Sequence, residues 1–312
     1  MRLSNLHIPV NKDLKVNLPT DVAYKTSEKF ATRDPFIMLY DNTYYFYAGA
    51  GVKGVRCYVS KDLENWSAPV PVYTPPENFH GIKDCFWAPE CHYYKGNFYI
   101  FSSVFSNKTN HRSISVYRSN NPLGPFEDIA DGCVGMPEWD TIDGTLYVDE
   151  KGQPWLVFVH EWTCQPDKIG GMAVARLSDD LSRLISEPKE IFKATDTPFA
   201  RNNVTDGPYL YQTESGRLIM IWSNHGEKSY FIAKAYSDNG IDGDWKHENE
   251  LLYEQGLRPE FEFDGGHGMI FEDKQGRLML ALHTPNRKFD GHYEHLLLLE
   301  LIEENNTLRI KP

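Results

Sequence analysis

Five times along the chain a short β-rich run, a polar turn and a second β-rich run follow one another. FIMLYDNTYYFYAG starts at Phe36, ECHYYKGNFYIFSS at Glu90, GTLYVDEKGQPWLVFV at Gly144, PYLYQTESGRLIMIWS at Pro208 and GMIFEDKQGRLMLALH at Gly268. The turns centre on Asn42, Gly96, Gly152, Gly216 and Gly276, in steps of 54, 56, 64 and 60 residues. Asn- and Gly-type turns between such runs predict β-hairpins. A further strand–turn–strand stretch follows each of the first four hairpins, as in VRCYVSKDLENWSAPVPVY and SISVYRSNNPLGPFEDIA, and HLLLLELIEENNTLRI fills that slot in the fifth. Each unit therefore reads as four antiparallel strands. Five such units predict an all-β, five-bladed β-propeller. A β-sandwich explains strands at short spacing but not the longer repeat.

The one helix candidate, Ser178 to Phe192, is interrupted by Pro188. Residues 1–30 read as an N-terminal lead-in, and residues 31–312 as a single propeller domain.

Composition narrows the partners. The chain has 312 residues, a formal net charge of -12 and a pI near 5.4. That charge disfavours nucleic acid and anionic membranes as partners. No apolar run approaches the ~18–20 residues of a membrane span. The five cysteines form no CxxC pair, which argues against a disulfide framework or a zinc site and for reduced thiols. The start MRLSNLHIPV lacks the apolar region of a signal peptide. The expectation is a soluble protein compatible with the cytoplasm as written, or exported if a signal was removed. Nothing in the sequence sets the oligomeric state. Aromatic residues make up 13%; most are expected in a β-rich core, with some serving as platforms for sugar rings.

In a propeller the first strand of each blade lines the central channel, so the residues opening these strands converge at one end. They read Arg33-Asp34-Pro35, Trp87-Ala88-Pro89-Glu90, Ile142-Asp143-Gly144, Thr205-Asp206-Gly207-Pro208 and Gly265-Gly266-His267-Gly268. Three units carry Asp at matching places, one carries Glu nearby and one His. A lone Asp at a strand start is ordinarily a turn or cap. Aligned acids opening apolar strands are costly to bury without a role. The second strands return to the same end with Ala48-Gly49, Ser102-Ser103, His160-Glu161-Trp162, Trp222-Ser223-Asn224-His225 and His283-Thr284. Glu161 thereby joins the acids. Carboxylates gathered in one pocket suit glycoside hydrolysis, where one activates water and another protonates the leaving group. They also suit a divalent cation such as Ca²⁺, although no EF-hand pattern is present.

At these residues the sequence resembles glycoside hydrolase family 43. The resemblance runs from about Arg33 to the end and is carried by RDP at Arg33–Pro35, WAPE at Trp87–Glu90, IDGTLYVDEKGQPWLVF from Ile142, DGPYLY from Asp206 and GGHG at Gly265–Gly268. It implies a five-bladed propeller and hydrolysis with inversion. It further implies that Asp34 is the general base and that Asp143 orients the general acid and adjusts its pKa. His267 matches a central histidine close to a bound calcium or a water cluster, so a structural Ca²⁺ in the channel is a candidate and no other cofactor is expected. Arg33, Trp87, Glu90, His160, Trp222 and His225 are the candidate sugar-binding residues, with Trp87 and Trp222 as platforms. The sequence departs from the pattern at the general acid, where the family usually has Glu and this chain has Asp206. Asp206 with the backbone moved inward, Glu161 or Glu90 in its stead, and no acid at all remain open readings. The expected activity is exo-acting hydrolysis of terminal α-L-arabinofuranosyl or β-xylosyl units of a plant-type oligosaccharide or polysaccharide. A non-catalytic carbohydrate-binding propeller is the alternative. A scaffold for protein partners is a third reading, and the channel acids count against it.

Overall fold

The computed structural model describes residues 8–28, 30–49, 53–130, 132–227, 230–254, 265–286 and 293–312. Its strands form five antiparallel sheets in chain order, the five blades of a β-propeller. Blade 1 runs Phe36–Tyr40, Thr43–Ala48 and Val55–Ser60, and its outer strand is split into Asn65–Ser67 and Val70–Tyr73. Blade 2 comprises Trp87–Tyr94, Asn97–Ser106, His111–Ser119 and Glu127–Asp128. Blade 3 comprises Thr141–Val148, Pro154–His160, Gly171–Arg176 and Lys189–Lys193. Blade 4 comprises Asp206–Gln212, Leu218–His225 and Tyr230–Ser237, with Lys246–His247 and Tyr253–Glu254 along its outer edge. Blade 5 comprises Gly266–Glu272, Leu278–Asn286, Tyr293–Glu304 and Thr307–Ile310.

All five expected hairpins form at the expected turns. Blades 1 and 2 use two-residue turns, Asp41-Asn42 and Lys95-Gly96, with positive φ at both positions. This is the geometry that matches strand twist. The helix candidate over Ser178–Phe192 does not form, and the strand–turn–strand reading of the third unit holds instead: a turn leads into the strand Lys189–Lys193. Among the described residues, helix is limited to two three-residue 3-10 turns.

The second strands Pro154–His160 and Leu218–His225 are apolar runs buried almost throughout, whereas the outer strand Lys189–Lys193 is mostly exposed or half-buried. The reason is position. A blade near the channel is covered on both faces by its neighbours, while its periphery meets water. Aromatic side chains fill these gaps, as with Tyr44, Tyr45, Phe46, Tyr47 and Trp66 in blade 1 and the stacked Tyr73–Tyr117 pair between blades 1 and 2. Part of the lead-in belongs to the sheets. Val22–Lys25 pairs antiparallel with Asn65–Ser67 of blade 1. Residues 30–32 bond to the third strand of blade 5 through Leu296 N–H to Phe30 O and Thr32 N–H to Glu294 O. Residues 1–7 and 29 of the lead-in lie outside the described residues.

Candidate active site

Each inner strand opens on a residue with positive φ: Asp34 (46°), Ala88 (39°), Asp143 (54°), Gly207 (48°) and His267 (46°). In blades 2 to 5 this residue sits in a register shift against the second strand. These are β-bulges, which turn a strand and re-aim its side chains. The alignment read from sequence is thereby corrected. Asp34, Asp143 and His267 are equivalent, while Asp206 stands one residue earlier, level with Trp87 and Gly266. The bulge also swings the amide sideways. Asp34 N–H donates to His283 Nδ1 (3.1 Å), Asp143 N–H to Ser103 Oγ (2.8 Å) and His267 N–H to Ser223 Oγ (2.9 Å). In each case the acceptor lies near the end of the second strand of the preceding blade. Gly207 N–H donates instead to Asp143 Oδ2 (3.1 Å).

The side chains meet around His267. Its Nδ1 lies 3.2 Å from Asp206 Oδ1, 3.3 Å from Asp34 Oδ1 and 3.9 Å from Asp143 Oδ2. The Tyr230 hydroxyl donates to Asp206 Oδ2. Arg33 Nε stands 3.5 Å from Asp34 Oδ1, and Glu294 lies beyond it, 3.7 Å from Arg33 and 3.8 Å from His283. Gly266 explains one glycine of the GGHG motif. A Cβ there would stand 2.2 Å from the Tyr230 ring, so only glycine lets that ring lie across the strand.

Electrostatics separates the acids. Burial works against ionisation of Asp34, but the charge on His267 together with His283 and Arg33 outweighs it and holds Asp34 below the usual carboxylate range. Burial dominates at Asp143 and raises it well above that range, aided by the neighbouring Asp206 and Asp34. Burial also opposes charge on Asp206, but donation from His267 and Tyr230 outweighs it and lowers that carboxyl. The acidic groups Asp34, Asp143 and Asp206 in turn overcome the burial of His267 and raise it well above the ordinary histidine value. The surroundings thus favour charge on His267, Asp34 and Asp206 and a proton on Asp143, with Asp143 and Asp206 in hydrogen-bonding contact.

Among the described residues, the group that could hold a cation is Asp143, Asp206 and His267, whose donor atoms lie within 4.8 Å of one another. That set does not suit Ca²⁺, which takes about six to eight oxygen ligands. One of the three donors here is a nitrogen, and in the imidazolium form His267 has no lone pair to give. Its own charge balances the carboxylates.

The remaining candidates divide. Arg33 borders Asp34, and the exposed His225 lies against Tyr230 at 4.8 Å between ring centroids. Glu161 closes the second strand of blade 3, near enough to Asp206 to feel its charge. Trp87 reaches the same end, but the Arg112 guanidinium covers its ring at 3.9 Å. Trp222 is no platform: it is 0% exposed and packed against Phe192, Phe231 and His247. Glu90 is buried against His92 (2.8 Å) instead of joining the carboxylate cluster. His160 is buried too, stacked on Trp139 at 3.7 Å and bonded to Glu190 at 2.7 Å. These last three side chains are engaged in the core and not offered to a sugar. Sequence reasoning missed Tyr230 and Arg112. Both begin third strands, which start at the channel end where second strands finish, so hairpin direction was the signal that could have found them.

The model of glycosyl hydrolases family 43 matches residues 29–302. The chain belongs to family 43. A solved family relative, an endo-arabinase from Bacteroides thetaiotaomicron, is 31% identical with a TM-score of 0.80, covering 92% of this chain and 99% of that one. An extracellular exo-α-(1→5)-L-arabinofuranosidase of Cellvibrio japonicus is 30% identical over 170 residues, 50% of this chain and 46% of the relative. An extracellular endo-α-(1→5)-L-arabinanase of Bacillus subtilis is 26% identical over 160 residues, 46% of this chain and 48% of the relative. The chain spans about half the length of the curated relatives it matches.

Proposed function

We propose that this family 43 chain hydrolyses arabinose- or xylose-containing oligosaccharides or polysaccharides, releasing terminal α-L-arabinofuranosyl or β-xylosyl units by single displacement. One observation carries the reading. Asp34 and Asp143 meet at His267 Nδ1, 3.3 Å and 3.9 Å away, in surroundings that favour charge on Asp34 and a proton on Asp143. Asp34 is the base. It accepts a proton as water attacks the anomeric carbon, while the glycosidic oxygen leaves with a proton from an acid. Asp143 keeps its proton beside Asp206 and His267 and fixes the charge of the pair around it. No step runs through a metal ion.

The test is product analysis on linear arabinan, xylan and aryl α-L-arabinofuranosides and β-D-xylosides. The expected first product is the free pentose with its anomeric configuration inverted, read by proton NMR. Release of mixed oligosaccharides with a fast fall in viscosity would replace the exo-acting reading with an endo-acting one. Asp34→Asn should lower kcat by roughly 10³-fold, within the range for losing a general base, with little change in Tm. Equal, background turnover by wild type and Asp34→Asn would leave a sugar-binding propeller as the reading.

A further inference from the structure

Asp206 and Glu161 both stand near the base, but their surroundings fit different tasks. Both Asp206 oxygens are engaged, Oδ1 beside His267 Nδ1 at 3.2 Å and Oδ2 accepting from the Tyr230 hydroxyl. A carboxylate bonded on both oxygens is stabilised as the anion. A proton placed on it would have to displace one of those donors. Glu161 has no such arrangement. Its nearest cation, Arg112 Nε, stands 3.6 Å from Oε2, beyond hydrogen-bond reach. Arg112 is itself held elsewhere, with its guanidinium over the Trp87 ring.

The backbone around Glu161 is tied down. Glu161 N–H donates to Asp140 O (2.8 Å), and Cys164 Sγ lies 3.3 Å from Glu161 O. The Asp140 carboxylate accepts Arg112 N–H (2.8 Å) and contacts His111 Nδ1 (3.2 Å) and the Thr163 hydroxyl (3.2 Å). One aspartate thereby fixes the strand that carries Arg112 and the segment that carries Glu161 with respect to each other.

From this geometry we infer that Glu161, and not Asp206, is the proton donor of the reaction, and that Arg112, held over the Trp87 ring, is a positioning residue that acts on it as a fixed neighbouring charge. The inference rests on the hydrolysis proposed above. The step balances simply: the Glu161 proton passes to the glycosidic oxygen as its bond to the anomeric carbon breaks, Asp34 takes a proton from the attacking water, and solvent exchange restores both. The surroundings of Glu161 favour its protonated form. Burial raises its pKa, and the facing charges, Asp140 before blade 3 and Asp206 of blade 4, raise it further against Arg112 of blade 2 and the Thr163 hydroxyl.

The test is a series of aryl glycosides, from 2,4-dinitrophenyl to 4-methoxyphenyl, on the pentose that wild type turns over. Glu161→Gln should lose roughly 10²- to 10⁴-fold in kcat/KM on 4-methoxyphenyl, the usual range for a general acid, and less than about 10-fold on 2,4-dinitrophenyl. The alkaline limb of its pH profile should vanish. Asp206→Asn should lose similar factors on both ends of the series. Arg112→Met should shift the alkaline limb upward while keeping the leaving-group dependence of wild type. A steep leaving-group dependence in Asp206→Asn and none in Glu161→Gln would overturn the inference. So would an unaltered alkaline limb in a Glu161→Gln protein whose Tm matches wild type. A wild type that turns over none of the series would overturn the hydrolysis itself, and this inference with it.

Discussion

Asp143 and Asp273 are both buried aspartates at the ends of inner strands, 5% and 2% exposed, at opposite ends of the propeller. Asp273 closes a hairpin, and its partners lie within four residues. Its Oδ1 accepts the Gln275 and Arg277 amides at 2.9 Å each, and its Oδ2 accepts Arg277 Nε at 2.7 Å. Asp149 and Thr213 close the hairpins of blades 3 and 4 in the same local way. The partners of Asp143 come from other blades. Ser103 lies 40 residues back, Gly207 lies 64 residues on, and Asp206 and His267 complete the set. Local amides and an arginine satisfy an ionised acid wherever the turn forms. A carboxyl whose neighbours are other carboxylates is left neutral when the blades close around it. The same residue type is structural at one end and chemical at the other.

Substitutions at the two ends should therefore fail differently. The largest effect is expected from Asp143→Asn, which removes the proton held beside Asp206. It should lower kcat by roughly 10²- to 10³-fold with Tm nearly unchanged, and a loss of Tm without a kinetic defect would reverse the assignment of the two ends. Gly207→Ala comes next. Its Cβ would stand 2.8 Å from His267 ring atoms at a φ of +48°, so it should displace the imidazolium and cost about 10²-fold in kcat. Gly216→Ala is its counterpart: φ is +93° but nothing lies within 4 Å. It should cost only backbone strain, about 1–2 kcal/mol of stability, with unchanged kcat. Equal kinetics for the two variants would show that His267 placement does not matter.

The pH dependence of stability sharpens the same contrast. Burial works against charge on His267, and Asp34, Asp143 and Asp206 outweigh it, so its folded pKa lies above the unfolded value of about 6.5. Its contribution is full below that unfolded value and is lost as pH rises through the folded one. The Tm of wild type should accordingly fall on the alkaline side, and His267→Gln should remove that slope; a pH-independent Tm difference between them would contradict the imidazolium. The effect of Asp273→Ala is expected to be confined to stability. It should cost about 1–3 kcal/mol of stability from lost turn hydrogen bonds, seen by denaturant titration, with kcat and its pH profile intact.

The five hairpins were legible because their signals are local. A turn such as Lys95-Gly96 carries its own φ preference, and runs such as WLVFV are apolar because both faces are covered. The clustering of Asp34, Asp143, Asp206 and His267 was legible from the repeat, since equivalent strand starts must meet at one end. The one-residue offset of Asp206 was not. It depends on where each bulge falls, and Asp34-Pro35 and Gly207-Pro208 are equivalent only in backbone conformation. Trp222, His160 and Glu90 misled for a common reason. Position along a strand says which end a residue reaches but not whether its side chain turns toward the channel or between two blades.

By itself, the sequence determined the five-unit repeat, the turns that close it and the collection of acids at one end, all consequences of backbone preferences within a few residues. Only the tertiary structure decided which of those acids carries a proton. The groups that set their charge, His267 for Asp34 and for Asp206 and Arg112 for Glu161, stand 233, 61 and 49 residues away along the chain. A carboxyl's pKa follows its neighbours in space, and those neighbours exist only when the ring of blades is closed.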